Sequence, residues 1–477
     1  YQAALKNATV APPNDNVGRK GLACSIFLGY TPTTTGEGMS WAMEGYVNDF
    51  GIANMAKALG DQDNYTYFLN RARNYVNMFD PSIGFFQGRN PDGSFRLPAS
   101  QYDPRVWGYD YTETDGWNMA FTVPQDGQGL ADLYGGKAQL AQKLDTFFAT
   151  PETAAFPGSY GGTIHEMIEA RDVRMGQYGH SNQPSHHILY MYDYAGQPSK
   201  TQAKVREALS RLYAGSDIGQ GYPGDEDNGE MSAWDIFSSL GFYPLQMGSP
   251  YYAVGSPLFR KATVHLEGGH DLVINAPKNS PRNVYVRGLK VNGQRYDRTY
   301  LPHSLLAKGA TLDFDMGPAP SKWGTGGGDA PPSITKGDQV ARPLRDVTGG
   351  AGFTATSSDG TDVTGLFDNT SNTRVTFTAG TPSVRYQLAA PRKVTMYTLT
   401  SGAVAGDAAA WTLEGSTDGT TWTVLDRRAD QTFPSRLQTR AFGVARPGDY
   451  QYYRLTVTST AGAATPSLAE LELLANP

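Results

Sequence analysis

The sequence predicts a multidomain chain of mixed α and β class. A helical first half is followed by a β-sandwich, a linker and a C-terminal jelly-roll β-sandwich. Three observations carry that reading. Apolar residues recur at three- and four-residue spacing as far as Leu240, short alternating runs replace them after Pro244, and Gly-Pro-Ala-Pro, Gly-Gly-Gly and Pro-Pro cluster within 317–332. At 477 residues the chain exceeds one ordinary domain. The expected divisions are 1–245, 246–316, a linker at 317–335, and 336–477.

Taken in order, 40–59 places Met43, Val47, Met55, Ala56 and Leu59 on one face before Gly60. A second helix is expected over 61–79, ending at Asp80-Pro81, and others over 129–148, 186–194, 200–212 and 231–240. The long loops between them hold Trp, Tyr, His and carboxylates, a content that points to function. Strands are expected at 251–254, 261–266, 271–274, 284–291 and 311–314 between Gly and Pro breaks. Beyond the linker, 411–422, 452–457 and 468–473 read as strands of the jelly roll, with Asp418-Gly419 in a turn.

The net charge of −6 leaves no basic footprint for nucleic acid, and no apolar run is long enough to cross a bilayer. The single cysteine, Cys24, excludes an intrachain disulfide and a cysteine-rich zinc site, and reads as a buried small hydrophobe. The chain opens at Tyr1 with no initiating Met or charged leader, a start that reads as internal.

Four clusters hold candidate chemistry. In 111–126, Glu113 and Asp115 lie among aromatics that include Trp117; a carboxyl there suits a general acid beside a sugar-stacking surface, or Glu113 caps the next helix. In 164–169, His165 and Glu166 can bind hydroxyls or a metal, but the second His of a zincin helix is missing. In 180–187, His186 and His187 diverge too far to share one metal, and the nearby amides and carboxylates suit calcium better. In 224–230, four acids fall in six residues. An extended loop there turns Asp225 and Asp227 to one side, where both can address one water; a capping turn is the alternative.

Together these motifs resemble glycoside hydrolase family 92, the calcium-dependent exo-acting α-mannosidases. The matching elements are Leu59-Gly60, Arg71-Ala72, Tyr111-Thr-Glu113, Val123-Pro124, His165-Glu166-Met167, the 182–187 motif, Tyr194-Ala-Gly-Gln-Pro198 with Thr201-Gln202, and 224–244. The resemblance spans residues 1–316. The C-terminal unit resembles the discoidin, or coagulation-factor type C, sandwich through Leu366-Phe-Asp368, Ser416-X-Asp-Gly-X-X-Trp422 and Tyr453-Arg-Leu, which implies carbohydrate binding.

The family resemblance implies part of an (α/α)6 barrel with β-sandwich flanks, and inverting hydrolysis of a mannose-containing glycan. It implies Glu113 as acid and Asp225 with Asp227 as the base pair. His165, Glu166, Gln183 and Trp117 would contact substrate. Calcium would be held near Glu169 and Asn182. It also implies a preceding β-sandwich, absent from this chain, that completes the pocket, and a secreted or cell-surface bacterial protein.

Three departures matter: Gln183 stands where the family has Glu, Gln125 where it has His, and Glu230 where it has Gln. An amide cannot donate a proton as a carboxylic acid does. If the acid belongs to the Gln183 motif, ordinary glycosides become poor substrates, and a mannosyl phosphodiester such as mannose-α-1-phospho-6-mannose fits. The competing expectation is a decayed hydrolase kept as a carbohydrate-binding or adhesion protein.

Overall fold

A computed structural model describes residues 1–14, 16–213, 221–349 and 352–477. It is of mixed α and β class and forms two compact units. One comprises Tyr1–Met78, Gly88–Ser94 and Arg342–Pro477; the other comprises Phe79–Gln87 and Phe95–Ala341. Helices from the first 78 residues therefore fold with the C-terminal strands, a grouping that sequence texture does not reveal.

In the first unit, helices α1 (Gln2–Thr9), α2 (Leu22–Leu28), α3 (Gly38–Ala58) and α4 (Gln62–Arg71) precede the strands. Leu5 and Ala8 of α1, Ile52 and Ala53 of α3, and Tyr67 and Phe68 of α4 share one core with Met396, Ala441 and Leu474. The Asp61 side chain caps α4 by accepting the Asn64 N–H at 3.2 Å. Asp63 in its first turn accepts from Arg428 at 2.8 Å and from the Gly443 N–H at 3.0 Å. The helix expected over 61–79 stops at Arg71, whose guanidinium is buried against Asp49 at 3.0 Å, and a 3-10 turn, Asn74–Asn77, follows. In the C-terminal part, the long strand Ser383–Ser401 pairs with Asp449–Ala461 along its first half and with Ser467–Ala475 along its second. Trp411, Tyr397, Phe442, Leu455 and Leu471 fill the core beneath. Cys24 is half-buried and free rather than fully buried.

In the second unit, α5 (Gly116–Met119), α6 (Gly127–Tyr134), α7 (Lys137–Ala149), α8 (His165–Val173), α9 (Met191–Tyr194), α10 (Pro198–Arg211) and α11 (Glu230–Leu240) are joined by long loops. The helix expected over 129–148 is two, because Gly135 and Gly136 adopt φ of 96° and 128°. The one expected over 186–194 is a 3-10 turn, Ile188–Tyr190, leading into α9. Two sheets follow. One has five strands in the order Lys261–His265, Asp271–Asn275, Ala310–Gly317, Tyr285–Val291, Gln294–Tyr296; the other has Phe242–Tyr243, Tyr251–Val254 and Tyr300–Pro302. Phe242, Val254 and Leu301 of the small sheet meet Leu272, Val286, Leu312 and Phe314 of the large one in a common core. Helix α10 is tied to this layer: Gln202 accepts the Val286 N–H at 2.9 Å and Arg206 donates to Asn279 at 2.6 Å.

The Gly- and Pro-rich stretch at 317–335 lies along the second unit as a held strap. Trp323 enters the core, the Pro332 carbonyl accepts from Tyr194 and Gln246, and Ser333 and Thr335 donate to the buried Asp126. Among the described residues, no helix is long and apolar enough to cross a membrane.

Candidate active site

Four loops of the second unit bring the candidate residues together, and in two of them the work of capping a helix falls to a different acid from the one left at the surface. Asp115 caps α5: its Oδ1 accepts the Asn118 N–H at 3.0 Å. It is fully buried, and burial pushes its carboxyl up to about 8. Glu113 is thereby released from capping. It is exposed, with a left-handed φ of 50°, and its N–H donates to the Tyr160 hydroxyl at 2.7 Å.

The same division recurs at 224–230. Glu226 accepts from the Gly229 N–H at 2.5 Å, the Ser232 N–H at 3.2 Å and the Ser232 hydroxyl at 2.7 Å. Those hydrogen bonds, Ser232's side chain first, hold the Glu226 carboxyl below its ordinary range. Asp225 and Asp227 stay exposed. The loop is not extended: Asp227, Asn228 and Gly229 have φ of 53°, 59° and 98°. Period-two alternation therefore does not decide which way the two aspartates point.

The 180–187 segment joins these loops. Asn182 Nδ2 donates to Glu113 Oε2 at 3.1 Å, and the next residue, Gln183, donates through Nε2 to Asp227 Oδ2. One dipeptide thus touches both the expected acid and one of the expected bases. His186 faces the Glu230 carboxylate at 2.6 Å through Nδ1 and the His180 carbonyl at 2.9 Å through Nε2, while His187 Nε2 faces the Phe121 carbonyl at 2.8 Å. The two rings serve different partners, as adjacent residues must. Burial pulls His187 down to about 4. His180 is also buried, between the hydroxyls of Tyr178 and Tyr213, and burial holds it well below its usual value.

On α8, His165 is exposed and stands 3.0 Å from Glu166 and 3.1 Å from Glu169. The hydrogen bond with Glu169 raises the His165 value, and burial raises that of Glu169, with the charge of Asp225 adding to both. Gly224 has no room for a side chain, since a Cβ there would lie 2.7 Å from the Ser181 carbonyl and 2.9 Å from Glu169 Oε2. That packing seats the acidic loop against α8 and the residue before Asn182.

The donor chemistry here fits a hard cation. Glu166 Oε2 is buried with no hydrogen-bond partner, and Glu169 Oε2 and the Ser181 carbonyl flank Gly224. Among the described residues, no group of three or more His, Cys, Asp or Glu side chains is set to hold a metal. Calcium at this place would therefore draw on amide and main-chain oxygens as well as Glu169 and Asn182.

Trp117 is not brought to the site surface. It is buried, with its ring edge-on to Phe85 at 4.9 Å and a second contact with Phe147, so it offers no face to a sugar. Sequence reasoning missed Tyr160, which lies 47 residues from the Glu113 it braces, and did not single out Glu226 within its run of acids.

The model of the glycosyl hydrolase family 92 catalytic domain matches residues 1–318. The family GH92 inverting mannosidase of Bacteroides thetaiotaomicron VPI-5482 is 38% identical, with a TM-score of 0.62, over 70% of this chain and 45% of its own. A family GH92 α-mannosidase of Bacteroides thetaiotaomicron, solved in complex with mannoimidazole, is 34% identical with a TM-score of 0.60, over 66% of this chain and 41% of its own. A secreted glycosidase of Arthroderma benhamiae, itself uncharacterized, is 26% identical over 71% of this chain and 44% of its own length. The chain spans less than half the length of each of these relatives.

Proposed function

Because the chain belongs to glycosyl hydrolase family 92, we propose that it supplies the catalytic loops of a calcium-dependent, inverting exo-α-mannosidase, turned toward mannose-α-1-phospho-6-mannose. In this reading the helices of residues 1–245 are part of an (α/α)6 barrel whose other helices, with a β-sandwich that completes the sugar pocket, belong to the rest of the whole protein. The C-terminal strands form a discoidin-like jelly roll that binds carbohydrate. The protein acts outside the cell, secreted or at the surface of a bacterium.

Inversion requires water to attack C1 from the face opposite the leaving group, with acid and base carboxyls about 6.5–9.5 Å apart to admit that water. Asp225 and Asp227 are the base side: they accept the proton of water as its oxygen bonds to C1. Glu113 is the carboxyl on the acid side, and His165 and Glu166 hold hydroxyls of the terminal mannose. Bound near Glu169 and Asn182, calcium would orient sugar hydroxyls and favour the flattened, positively charged ring.

The observation that carries the substrate is the amide of Gln183, which donates to Asp227 while its neighbour Asn182 donates to Glu113. An amide N–H can donate a hydrogen bond to a phosphate oxygen but cannot release a proton. Where Gln183, and not Glu113, faces the glycosidic oxygen, a glycoside with an alcohol leaving group goes without the proton it needs. A mannosyl phosphodiester needs none: as the C1–O bond breaks, its electron pair stays on the phosphate oxygen and the sugar phosphate departs as a stable anion. The whole protein should cleave mannose-α-1-phospho-6-mannose with a kcat/KM about a hundredfold or more above that for an alkyl α-mannoside. Efficient cleavage of the alkyl compound would sink the phosphodiester reading and leave the α-mannosidase one standing.

A further inference from the structure

We infer that Glu226 is a positioning residue: its ionised carboxylate holds the turn that presents Asp225 and Asp227 to water. This rests on the proposed role of the two aspartates as the base side. Glu226 lies between them in sequence, so its own placement constrains both neighbours. Its two oxygens accept three hydrogen bonds, from the Gly229 N–H and from the N–H and hydroxyl of Ser232, and the Ser232 hydroxyl in turn lies 2.7 Å from that of Tyr222. All three groups that face the carboxylate donate protons, so only an acceptor at both oxygens satisfies them.

What the carboxylate holds in place is unfavourable by itself. Asp227 and Asn228 occupy the left-handed region that side chains other than glycine seldom adopt, and such a backbone persists only where its surroundings impose it. Two main-chain hydrogen bonds close the same turn, Glu230 N–H to the Asp227 carbonyl and Met231 N–H to the Glu226 carbonyl, both at 3.2 Å. Without the clamp, the turn relaxes toward ordinary backbone. Asp225 and Asp227 then lose their register with Gln183 and with the Gly224 contact against Ser181 and Glu169.

The clamp reaches into α11, since Ser232 stands in its first turn. A residue that only capped this helix would change its stability and leave turnover alone. A residue that positions the base changes kcat more than KM, because His165 and Glu166, which hold the sugar, take no part in its hydrogen bonds. In the whole protein, Glu226→Gln keeps one acceptor oxygen but turns an amide toward one of the donors. We expect kcat to fall about tenfold with KM within about twofold of wild type, and Glu226→Ala to lower kcat about a hundredfold. Ser232→Ala removes one of the three donors, the hydroxyl, and keeps the main-chain N–H. It should lower kcat by a smaller factor, and its effect should not add to that of Glu226→Gln, because both break one network.

Turnover of Glu226→Gln and Ser232→Ala at the wild-type rate, with only the thermal midpoint lowered, would overturn the inference and leave Glu226 a helix cap. Asp227→Asn run in parallel separates the two readings. If Asp227→Asn keeps full turnover, the proposed base is wrong; if it is inactive while Glu226→Gln is unimpaired, the base stands and the positioning role fails.

Discussion

Two sets of three acids sit in this chain under opposite conditions. In the second unit, Asp225, Glu226 and Asp227 share an open turn; Glu226 is held below its ordinary range by hydrogen-bond donors, and its neighbours face water. In the first unit, Glu470 and Glu472 are buried and Asp346 is half-buried. Glu470 and Glu472 project from the last strand, Ser467–Ala475, and Asp346 accepts the Leu473 N–H of that strand at 3.1 Å. Burial, then the charge of Glu472, pushes Glu470 up to about 11, and burial raises both Asp346 and Glu472 as well. The side chains are chemically alike. Hydrogen-bond donors favour the charged form of Glu226 while Asp225 and Asp227 face water, whereas burial favours the protonated form in the second set. Both sets accept hydrogen bonds, so a cluster of acids is a candidate base only when its members also face water.

The largest effect that tests this contrast is on turnover. Asp227→Asn removes a solvated carboxylate, so kcat of the whole protein should fall about a thousandfold or more, while the unfolding temperature changes little at an exposed position. Undiminished turnover would erase the distinction, since the open set would then be as inert as the buried one. A smaller change of opposite sign comes from Gln183→Glu. It puts a proton donor where an amide now lies against Asp227, and should raise hydrolysis of an alkyl α-mannoside about tenfold while slowing that of the anionic mannosyl phosphate. No gain with the alkyl substrate would show that Gln183 does not govern the leaving group.

Five strands of the second unit were legible, four of them to within a residue, while Phe242–Tyr243, Gln294–Tyr296 and Tyr300–Pro302 were not. Asp271–Asn275 alternates between a buried and a wetter face, Tyr285–Val291 does so in part, and Tyr251–Val254 is marked by Pro250 and Gly255 at its ends. Long helices such as Gly38–Ala58 were legible for the same reason. Short ones were not: Gln2–Thr9, Leu22–Leu28, Gly116–Met119 and His165–Val173 are too brief to hold by propensity and depend on tertiary contact. The acidic run at 224–230 was visible, but the choice of Glu226 as the clamped acid depends on Ser232 folding back onto it. Nor does composition distinguish a core tryptophan from a sugar platform, and Trp117 is the former. The grouping of the first 78 residues with the C-terminal strands rests on pairs such as Asp63 with Arg428, 365 residues apart, which no local pattern encodes.

The smallest effect is a matter of pH, and its sign follows from the buried set. For a carboxyl whose folded-state value is raised, the folded chain binds its proton more tightly than the unfolded chain. The associated stability is complete below the ordinary carboxylate range and is lost as pH rises toward the folded-state value. For Glu470 that loss begins near the ordinary value of about 4.3 and continues through neutrality, because its folded-state value lies near 11. Glu472→Gln and Glu470→Gln replace each carboxyl with an amide that cannot ionise. At pH 8 each variant should unfold at higher denaturant than wild type, by about 1–2 kcal/mol after discounting for side-chain relaxation, and at pH 4 the advantage should vanish. Urea unfolding at the two pH values measures it. The amide that replaces Glu472 must still accept the Thr398 hydroxyl, which lies 2.6 Å from Oε2 in the wild type, so Glu470, whose Oε1 is buried without a partner, gives the cleaner test. A Glu470→Gln variant equally stable relative to wild type at both pH values would mean that this carboxyl ionises as freely as those of the open turn, and burial would no longer explain the difference between the two sets.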